Sequence, residues 1–290
     1  NKVQGLGNKY LHLFYKVKRV WATAEDGSKI PISLVYSRYN MDKDGADRLW
    51  LTAYGAYGTS YDVGFSQSVL NLLELGFVYA VAHVRGGRDC GQQWYEEGKL
   101  LNKKNTFTDF ISCAEFLIKE KYTASDRLVI QGGSAGGLLM GAVTNMRPDL
   151  FHTVVLDVPF VDVLNTMNDP GLPLTTLEYK EWGPPQIKKY FKYMRSYSPY
   201  DNIRPQNYPN MLFFTALNDT RVGYWEPAKM VAKLRDTKTD QNLTLLKTNF
   251  SAGHGGNSGR FAHYREMAYK LALVLDLLKK NPFAHPEAGE

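Results

Sequence analysis

The sequence feature that most constrains this chain is a Gly-x-Ser-x-Gly core, formed by Gly132, Ser134 and Gly136. A short apolar run precedes the core and a helix-forming run follows it. A strand, such a core and a helix make a nucleophile elbow, the tight turn that lifts a serine hydroxyl clear of a sheet. Glycine is expected two residues before and two after the serine, because strand and helix come too close there for a side chain. An ordinary Gly-rich turn is the alternative, and the flanking patterns favour the elbow.

The rest of the chain alternates β-type and helical patterns at the rhythm of a mostly parallel central sheet with helices on both faces. The predicted strands span residues 17–23, 30–36, 48–53, 77–83, 128–131, 153–158, 211–217 and 243–248. The predicted helices span residues 66–75, 107–119, 138–146, 226–235 and 256–279. The first two strands flank an Asp-Gly turn and are expected to form an antiparallel hairpin. The sequence therefore predicts the α/β fold class, with residues 1–290 as one domain.

Residues 162–205 break this alternation. They are rich in Tyr, Trp and Pro, and their pattern predicts several short helices rather than another strand and helix. Long excursions of this kind in a compact domain usually shape a binding site. We expect this segment to lie above the sheet and to form the walls of a substrate pocket.

Composition narrows the functions that the chain can have. The formal net charge is +6, but the basic residues are scattered without a basic stripe, so no nucleic-acid partner is expected. No run of about 18 apolar residues is present, so no membrane span is expected. Cys90 and Cys113 are too few for a disulfide framework and lack metal-ligand spacing, which favours a reducing, cytoplasmic location. The motifs predict neither a metal nor an organic cofactor.

The elbow serine needs a base and a group that orients the base, because a serine hydroxyl is a weak nucleophile at neutral pH. After an elbow serine, an acid and then a histidine should follow in loops behind later strands. Asp219 follows the strand at 211–217, and His254 lies among glycines behind the strand at 243–248. Taken alone, Asp219 could be a turn or capping residue, but its place between Ser134 and His254 favours the catalytic interpretation. For His83, at the end of a strand, a structural role is favoured.

Acyl transfer also requires hydrogen-bond donors for the negative charge that develops on the substrate oxygen. The backbone N–H of Ala135, directly after the serine, should be one of them. The second should come from the loop after the strand at 48–53, where Tyr54 offers a hydroxyl. Ordinary packing is the alternative for Tyr54, which is one of 19 tyrosines.

Many short motifs, spread over essentially the whole chain, resemble one family. They are Tyr54-Gly-Ala-Tyr-Gly58, Arg85-Gly-Gly87, Trp94-Tyr-Glu96, Gly132-Gly-Ser-Ala-Gly-Gly137, Asn145-Met-Arg-Pro-Asp-Leu-Phe151, Val158-Pro-Phe-Val-Asp-Val163, Glu181-Trp-Gly-Pro184, Tyr224-Trp-Glu-Pro-Ala-Lys229 and Ala252-Gly-His-Gly-Gly256. Together they resemble the catalytic domain of the prolyl oligopeptidase family of serine peptidases, and within it the oligopeptidase B group. The resemblance implies an α/β-hydrolase fold and hydrolysis of short peptides, with Ser134 as nucleophile, His254 as base, Asp219 as orienter and Tyr54 as oxyanion donor.

The resemblance also bears on substrate choice. The segment at 173–179 lacks the tryptophan that stacks on proline in prolyl-specific members, so cleavage after proline is not expected. In the oligopeptidase B group, two glutamates in this segment receive an Arg or Lys side chain; here the first is Glu178, but the second position is Lys180. Glu181 is the nearby acid that could compensate. A preference for basic residues, weakened or altered, is therefore expected.

Two further residues are implied in substrate binding. Asp62 matches one member of a second acidic pair in the oligopeptidase B group, whereas Gly64 stands at the other position. Arg221 resembles the arginine that holds a substrate carbonyl in prolyl oligopeptidases, a task that suits its fork of N–H donors. For Glu178 and Asp62, the alternative is a solvated loop acid.

The predicted function is thus a serine oligopeptidase without cofactors. The family places a β-propeller before this domain, so we expect one as a partner, either on the same parent chain or on a separate chain. Two other functions remain open: an esterase or acylaminoacyl hydrolase on the same fold, and a catalytically silent binding module.

Overall fold

A computed structural model describes residues 14–61, 66–257 and 260–279. The strands are β1 (Tyr15–Thr23), β2 (Lys29–Ser37), β3 (Arg48–Thr52), β4 (Phe77–Ala82), β5 (Leu128–Gly133), β6 (Thr153–Asp157), β7 (Asn210–Ala216) and β8 (Thr244–Asn249). The helices are α1 (Gln67–Glu74), α2 (Gln92–Glu96), α3 (Lys104–Lys119), α4 (Ala135–Met146), α5 (Val163–Asn168), α6 (Thr175–Trp182), α7 (Lys188–Arg195), α8 (Trp225–Thr237) and α9 (Arg260–Lys279). The predicted alternation of strands and helices is confirmed.

The eight strands form one sheet in the order β1-β2-β4-β3-β5-β6-β7-β8. The first two strands pair as the predicted antiparallel hairpin, and β2 also runs antiparallel to β4. All pairs from β4 to β8 are parallel. This is the α/β-hydrolase fold, as predicted from the elbow and the motifs.

The two faces of the sheet carry separate apolar layers, because successive side chains of a strand point to opposite faces. In β5, Leu128 and Ile130 pack in the larger layer, whereas Val129 packs in the smaller one. Buried residues of α3, α4 and α8 complete the larger layer. The smaller layer is covered by α1 and α9, through residues such as Leu72 and Val274. The sheet is thus covered on both faces, as predicted.

The carboxyl ends of the parallel strands share one edge, and the loops that leave them lie close together. Ser134 follows β5, Asp219 follows β7, His254 follows β8 and Tyr54 follows β3. Helices α5, α6 and α7 occupy the segment between β6 and β7, where the sequence predicts short helices. In an open α/β sheet, this edge is where ligands bind. The fold therefore brings the residues predicted to act together to one place.

Candidate active site

Ser134 lies in a strained turn between β5 and α4. Its φ is 54°, in the left-handed region that L-residues seldom adopt. A Cβ on Gly132 would lie 2.3 Å from the carbonyl oxygen of Gly136, and one on Gly136 would lie 3.0 Å from the oxygen of Ala53. Both glycines therefore meet the steric demand expected from the sequence. The helix begins directly after the serine, earlier than the pattern predicts, since the Ser134 carbonyl accepts hydrogen bonds from Gly137 and Leu138 at 2.9 and 3.2 Å.

Asp219 and His254 are joined by a hydrogen bond. The Oδ2 atom of Asp219 lies 2.7 Å from Nδ1 of His254, and the aspartate side chain is fully buried while that of the histidine is 16% exposed. The other carboxylate oxygen, Oδ1, accepts the N–H groups of Arg221 and Val222, each at 2.9 Å. Both oxygens are therefore held, and the orientation of the carboxylate is fixed.

These contacts keep Asp219 charged. Burial by itself raises the pKa of a carboxyl group, but the hydrogen bonds from His254, Val222 and Arg221 outweigh it, and the pKa of Asp219 lies below its ordinary value. A charged carboxylate beside Nδ1 holds the proton of the neutral imidazole on that nitrogen. The other nitrogen, Nε2, is then a lone-pair acceptor, which is the form that a general base requires.

The loops that carry Asp219 and His254 pack against each other beside the elbow. The backbone N–H of Asn218 donates to the carbonyl of Ala252 at 3.1 Å, and Ser134 N donates to the carbonyl of Asp157 at 2.9 Å. Residues 134 and 219 line one cavity, and residues 157 and 254 line the adjoining one. Among the described residues, no hydrogen bond joins the Ser134 hydroxyl to the His254 ring. Catalytic hydrogen bonds are often loose before substrate binds.

Tyr54 and Ala135, the predicted oxyanion donors, line the same cavity as Ser134. The Tyr54 ring packs against the start of α4, with Cδ2 at 3.4 Å from the Cβ position of Gly136. Burial is the largest effect on Tyr54 and raises its pKa, so the hydroxyl stays protonated and can act as a donor. Ala135 is the first residue of α4, and an N–H in the first turn has no acceptor within its own helix.

A cavity of about 580 Å³ opens beside Ser134. Tyr54, Ala135 and Asp219 line it together with residues of the 162–205 excursion, as the sequence predicts for that segment. Glu178 is the acid that α6 presents to this cavity. Its Oε2 accepts the hydroxyl of Tyr57 at 2.6 Å and the indole N–H of Trp182 at 3.0 Å. Glu178 is therefore anchored at one oxygen, inside the cavity rather than in a solvated loop.

Lys180 and Glu181 do not line the cavity. Lys180 is exposed, and residues two apart on a helix do not share a face, so its ammonium points away from Glu178. Glu181 is 2% exposed, and its two oxygens accept the backbone N–H of Tyr57 at 3.0 Å and the hydroxyl of Tyr95 at 2.7 Å. With both oxygens engaged below the cavity floor, Glu181 does not compensate for Lys180, contrary to the expectation from sequence.

Arg221 and Asp62 complete the predicted set. Arg221 lines the cavity with an exposed side chain, while its backbone N–H holds Asp219. Asp62 lies outside the described residues, so its predicted role stays a prediction.

Glu226 is a cavity residue to which the sequence interpretation gave no role. It is 1% exposed, and its carboxylate accepts the N–H groups of Val161 and Asp162 at 2.9 and 2.8 Å and the hydroxyl of Thr166 at 2.6 Å. Burial raises its pKa to about 7, against the opposing effect of these donors. Glu226 thus ties the loop after β6 to α5 and fixes one cavity wall. Glu226 lies in the motif at 224–229, one of those that carry the family resemblance, and this motif was the signal in the sequence that could have pointed to it.

A second hydrogen-bonded set of Ser, His and Asp side chains lies away from this cavity. His83 is 3% exposed, with Nε2 at 2.8 Å from Oγ of Ser33 and Nδ1 at 2.7 Å from Asp89. Ser33 lies within the regular strand β2, so it has neither the elbow nor the helix N-terminus of Ser134. The geometry therefore supports the structural role predicted for His83.

Within residues 14–61, 66–257 and 260–279, no three His, Cys, Asp or Glu side chains come together as a metal site. None of the helices in these ranges combines the length and the apolar composition that crossing a membrane requires.

Comparison with known proteins identifies relatives over most of the chain. Residues 63–281 match the sequence pattern described as the prolyl oligopeptidase family. Dipeptidyl aminopeptidase BI of Pseudoxanthomonas mexicana is 53% identical over 265 residues, covering 91% of this chain and 36% of the relative. Protease 2 of Moraxella lacunata is 49% identical, covering 96% of this chain and 40% of the relative.

Solved structures give the same result. Oligopeptidase B from Leishmania major superposes with a TM-score of 0.91 at 49% identity, covering 94% of this chain and 38% of that one. A prolyl endopeptidase structure superposes with a TM-score of 0.89 at 33% identity, covering 93% and 40%. The chain thus spans about two fifths of the length of these relatives.

Proposed function

The chain belongs to the prolyl oligopeptidase family of serine peptidases, and on this premise we propose that it hydrolyses short peptides through an acyl-enzyme on Ser134. The observation that carries the proposal is the hydrogen bond of 2.7 Å between Asp219 and His254, beside a serine at a φ of 54°. That arrangement supplies a nucleophile, a base and the group that orients the base. The names of the relatives, which include a protease and an oligopeptidase, support a peptide substrate.

The proposed reaction follows from the positions of these groups. Ser134 Oγ attacks the scissile carbonyl carbon while Nε2 of His254 takes the hydroxyl proton, and the resulting imidazolium is stabilised by Asp219. The Ala135 N–H and the Tyr54 hydroxyl donate to the oxyanion. His254 then gives its proton to the departing amine, which leaves an acyl group on Ser134. Water, deprotonated by His254, attacks this ester and releases the acid.

We propose a preference for Arg or Lys before the cleaved bond, with Glu178 as its receptor. Oε1 of Glu178 accepts no hydrogen bond from the described residues, whereas Oε2 is held by Tyr57 and Trp182. A carboxylate with one anchored and one open oxygen suits a guanidinium or ammonium group. A single acid in this role, with Lys180 directed away, accounts for a weaker selectivity than two acids would give. We further propose that Arg221, which lines the same cavity with an exposed side chain, holds a substrate carbonyl.

Labelling with a fluorophosphonate tests the nucleophile, because the reagent reacts with a serine that has an active base. In the complete protein, we expect the wild type and Ser33→Ala to be labelled and Ser134→Ala to remain unlabelled. Ser33→Ala is the matched control, since Ser33 hydrogen-bonds a His-Asp pair but lies in a regular strand rather than in an elbow. An unlabelled wild type would favour the silent binding module instead.

Hydrolysis of Arg, Pro and acyl-ester reporters tests the substrate class. We expect the Arg reporter to be preferred, and Glu178→Gln to lower its kcat/KM by about tenfold to a hundredfold, the range of a hydrogen-bonded charge pair of about 1.5–3 kcal/mol. Lys180→Glu, on the outer face of α6, should change the selectivity little. Turnover of the ester alone would support the esterase or acylaminoacyl hydrolase.

A β-propeller partner and a cytoplasmic location remain predictions.

A further inference from the structure

A buried lysine and a buried glutamate lie beneath the segment that carries Tyr54. Lys103 and Glu181 are each 2% exposed. Removing an ionised group from water costs several kcal/mol unless partners compensate for it. The proposed reaction uses neither residue, and neither lines the cavity beside Ser134. Their contacts indicate what this buried charge does.

Lys103 holds the peptide group between Gly55 and Ala56, one residue beyond Tyr54. Its Nζ donates to the carbonyl oxygen of Gly55 at 2.5 Å and to that of Gly98 at 3.0 Å. The same ammonium lies 5.2 Å from the ring centre of Trp182, where the face of the indole attracts a cation. Hydrogen bonds from an ionised donor are short and about twice as strong as neutral ones. The lysine therefore limits the movement of the backbone at Tyr54.

Glu181 holds the other end of the same segment. One of its oxygens accepts the backbone N–H of Tyr57 at 3.0 Å, and the other accepts the hydroxyl of Tyr95 at 2.7 Å. The Tyr57 hydroxyl in turn donates to Glu178 at 2.6 Å, and the Trp182 indole donates to the same Glu178 oxygen at 3.0 Å. The acid that faces the substrate is thus linked to the segment that Glu181 supports.

We propose that Lys103 and Glu181 are positioning residues. They fix the oxyanion donor Tyr54 relative to Glu178, the carboxylate that binds the basic side chain of the substrate. The inference rests on the proposed function, because it takes the roles of Tyr54 and Glu178 from there. Neither positioning residue contacts the reacting atoms. Both act through the segment from Tyr54 to Tyr57, which they hold from below with opposite charges. Misplacement of a catalytic group by about 1 Å can cost about a hundredfold in rate.

The charge on Lys103 is itself sensitive to pH. Burial lowers its pKa to about 8, and the charge of Glu181, which faces it from α6, raises it in part. Tyr57 and Tyr95, which contact Glu181 or its neighbour Glu178, have pKa values raised above the usual range by burial first, so they stay neutral there. The ammonium is therefore present below about pH 8 and lost above it. In a plot of kcat against pH, we therefore expect kcat to decrease above about pH 8, and we expect this alkaline decrease to depend on Lys103.

The test uses Lys103→Met in the complete protein, with the Arg reporter. We expect kcat to fall by about tenfold to a hundredfold, as for partial loss of an oxyanion donor. Lys103→Arg, which keeps the charge, should recover part of the loss. Lys104→Met is the matched control, because this neighbouring lysine contacts Tyr193 instead of the Tyr54 segment and should leave kcat unchanged.

A double-mutant cycle with Tyr54→Phe separates positioning from general stability. If Lys103 acts through Tyr54, kcat of the double variant should be within about threefold of kcat of Tyr54→Phe. The decrease of kcat near pH 8 should also be absent from Lys103→Met. Additive losses, or an unchanged alkaline decrease, would overturn the inference, since independent sites add.

Glu181→Gln tests the same link if Lys103→Met does not fold. The amide keeps one oxygen for the Tyr57 N–H but removes the negative charge that acts on Lys103. We therefore expect kcat to fall about tenfold, with thermal stability near that of the wild type. Wild-type kcat in this variant would refute the role of the pair. A wild-type protein that neither takes the fluorophosphonate nor cleaves the reporter would overturn the proposed function itself, which distinguishes the two failures.

Discussion

Replacing Asp219 by asparagine should abolish most of the activity while preserving the shape of the site. Oδ1 of Asp219 accepts two backbone N–H groups, from Arg221 and Val222, each at 2.9 Å. The asparagine oxygen must take this position, because a flipped amide would place its NH2 against two donors. Losing two hydrogen bonds of about 1 kcal/mol each favours the unflipped amide by roughly thirtyfold. The amide nitrogen then occupies the place of Oδ2.

That nitrogen is a donor, and it faces Nδ1 of His254. The imidazole must then accept at Nδ1 and carry its proton on Nε2, so it cannot take the proton of Ser134. In serine proteases with the same arrangement, such a tautomer change lowers kcat about 10⁴-fold, or about 5 kcal/mol in barrier height. We expect a loss of this size in Asp219→Asn, with the thermal unfolding midpoint within a few degrees of the wild type.

Steady-state hydrolysis of the Arg reporter and the rate of fluorophosphonate labelling measure this loss. Asp149→Asn is the matched control, because Asp149 pairs with Arg147 on the surface and should leave both rates unchanged. If Asp219→Asn retained kcat within tenfold of the wild type, the assigned histidine tautomer would be incorrect, and with it the role of Asp219.

Two further predictions concern stability and are read from urea unfolding. Gly132→Ala places a Cβ 2.3 Å from the Gly136 carbonyl oxygen, so the elbow must open; we expect a loss of about 1–3 kcal/mol and no labelling, whereas Gly255→Ala, with nothing within 4 Å, should leave stability unchanged. For Glu226, burial raises the pKa to about 7 from 4.5. The folded chain therefore binds this proton more tightly than the unfolded chain, and the free energy of unfolding should fall as pH rises through that window, by an amount on the order of 3 kcal/mol. Glu226→Gln should remove this slope, and an unchanged slope would contradict the assignment.

The sequence predicted the residues of local motifs better than the contacts between them. The elbow glycines, Asp219 and His254 could be located because strand order and turn sterics constrain them along the chain. Helix boundaries were less accurate: the helix after the elbow begins at Ala135 rather than at the predicted residue 138. At the ends of helices, hydrogen bonding by capping residues competes with propensity, and a pattern of apolar residues does not resolve it.

The acids of α6 show why the rest could not be predicted. Glu178 and Glu181 are neighbours in the sequence and equally acidic, yet one faces the cavity and the other lies under it. Which of them meets a substrate depends on how α6 is rotated against the segment from Tyr54 to Tyr57, and that rotation is set by distant partners such as Tyr95 and Lys103. No local pattern carries this information.

The sequence by itself determined the fold class, the elbow and the order of the acid and the histidine, because each follows from short-range sterics or from the succession of strands. Only the tertiary structure decided that Asp219 and His254 share a hydrogen bond of 2.7 Å, and that Lys180 points away from the cavity. It also decided that the buried Lys103 and Glu181 contact the segment after Tyr54, at Gly55 and at Tyr57. These facts depend on contacts between residues far apart in the chain, and packing alone brings such residues together.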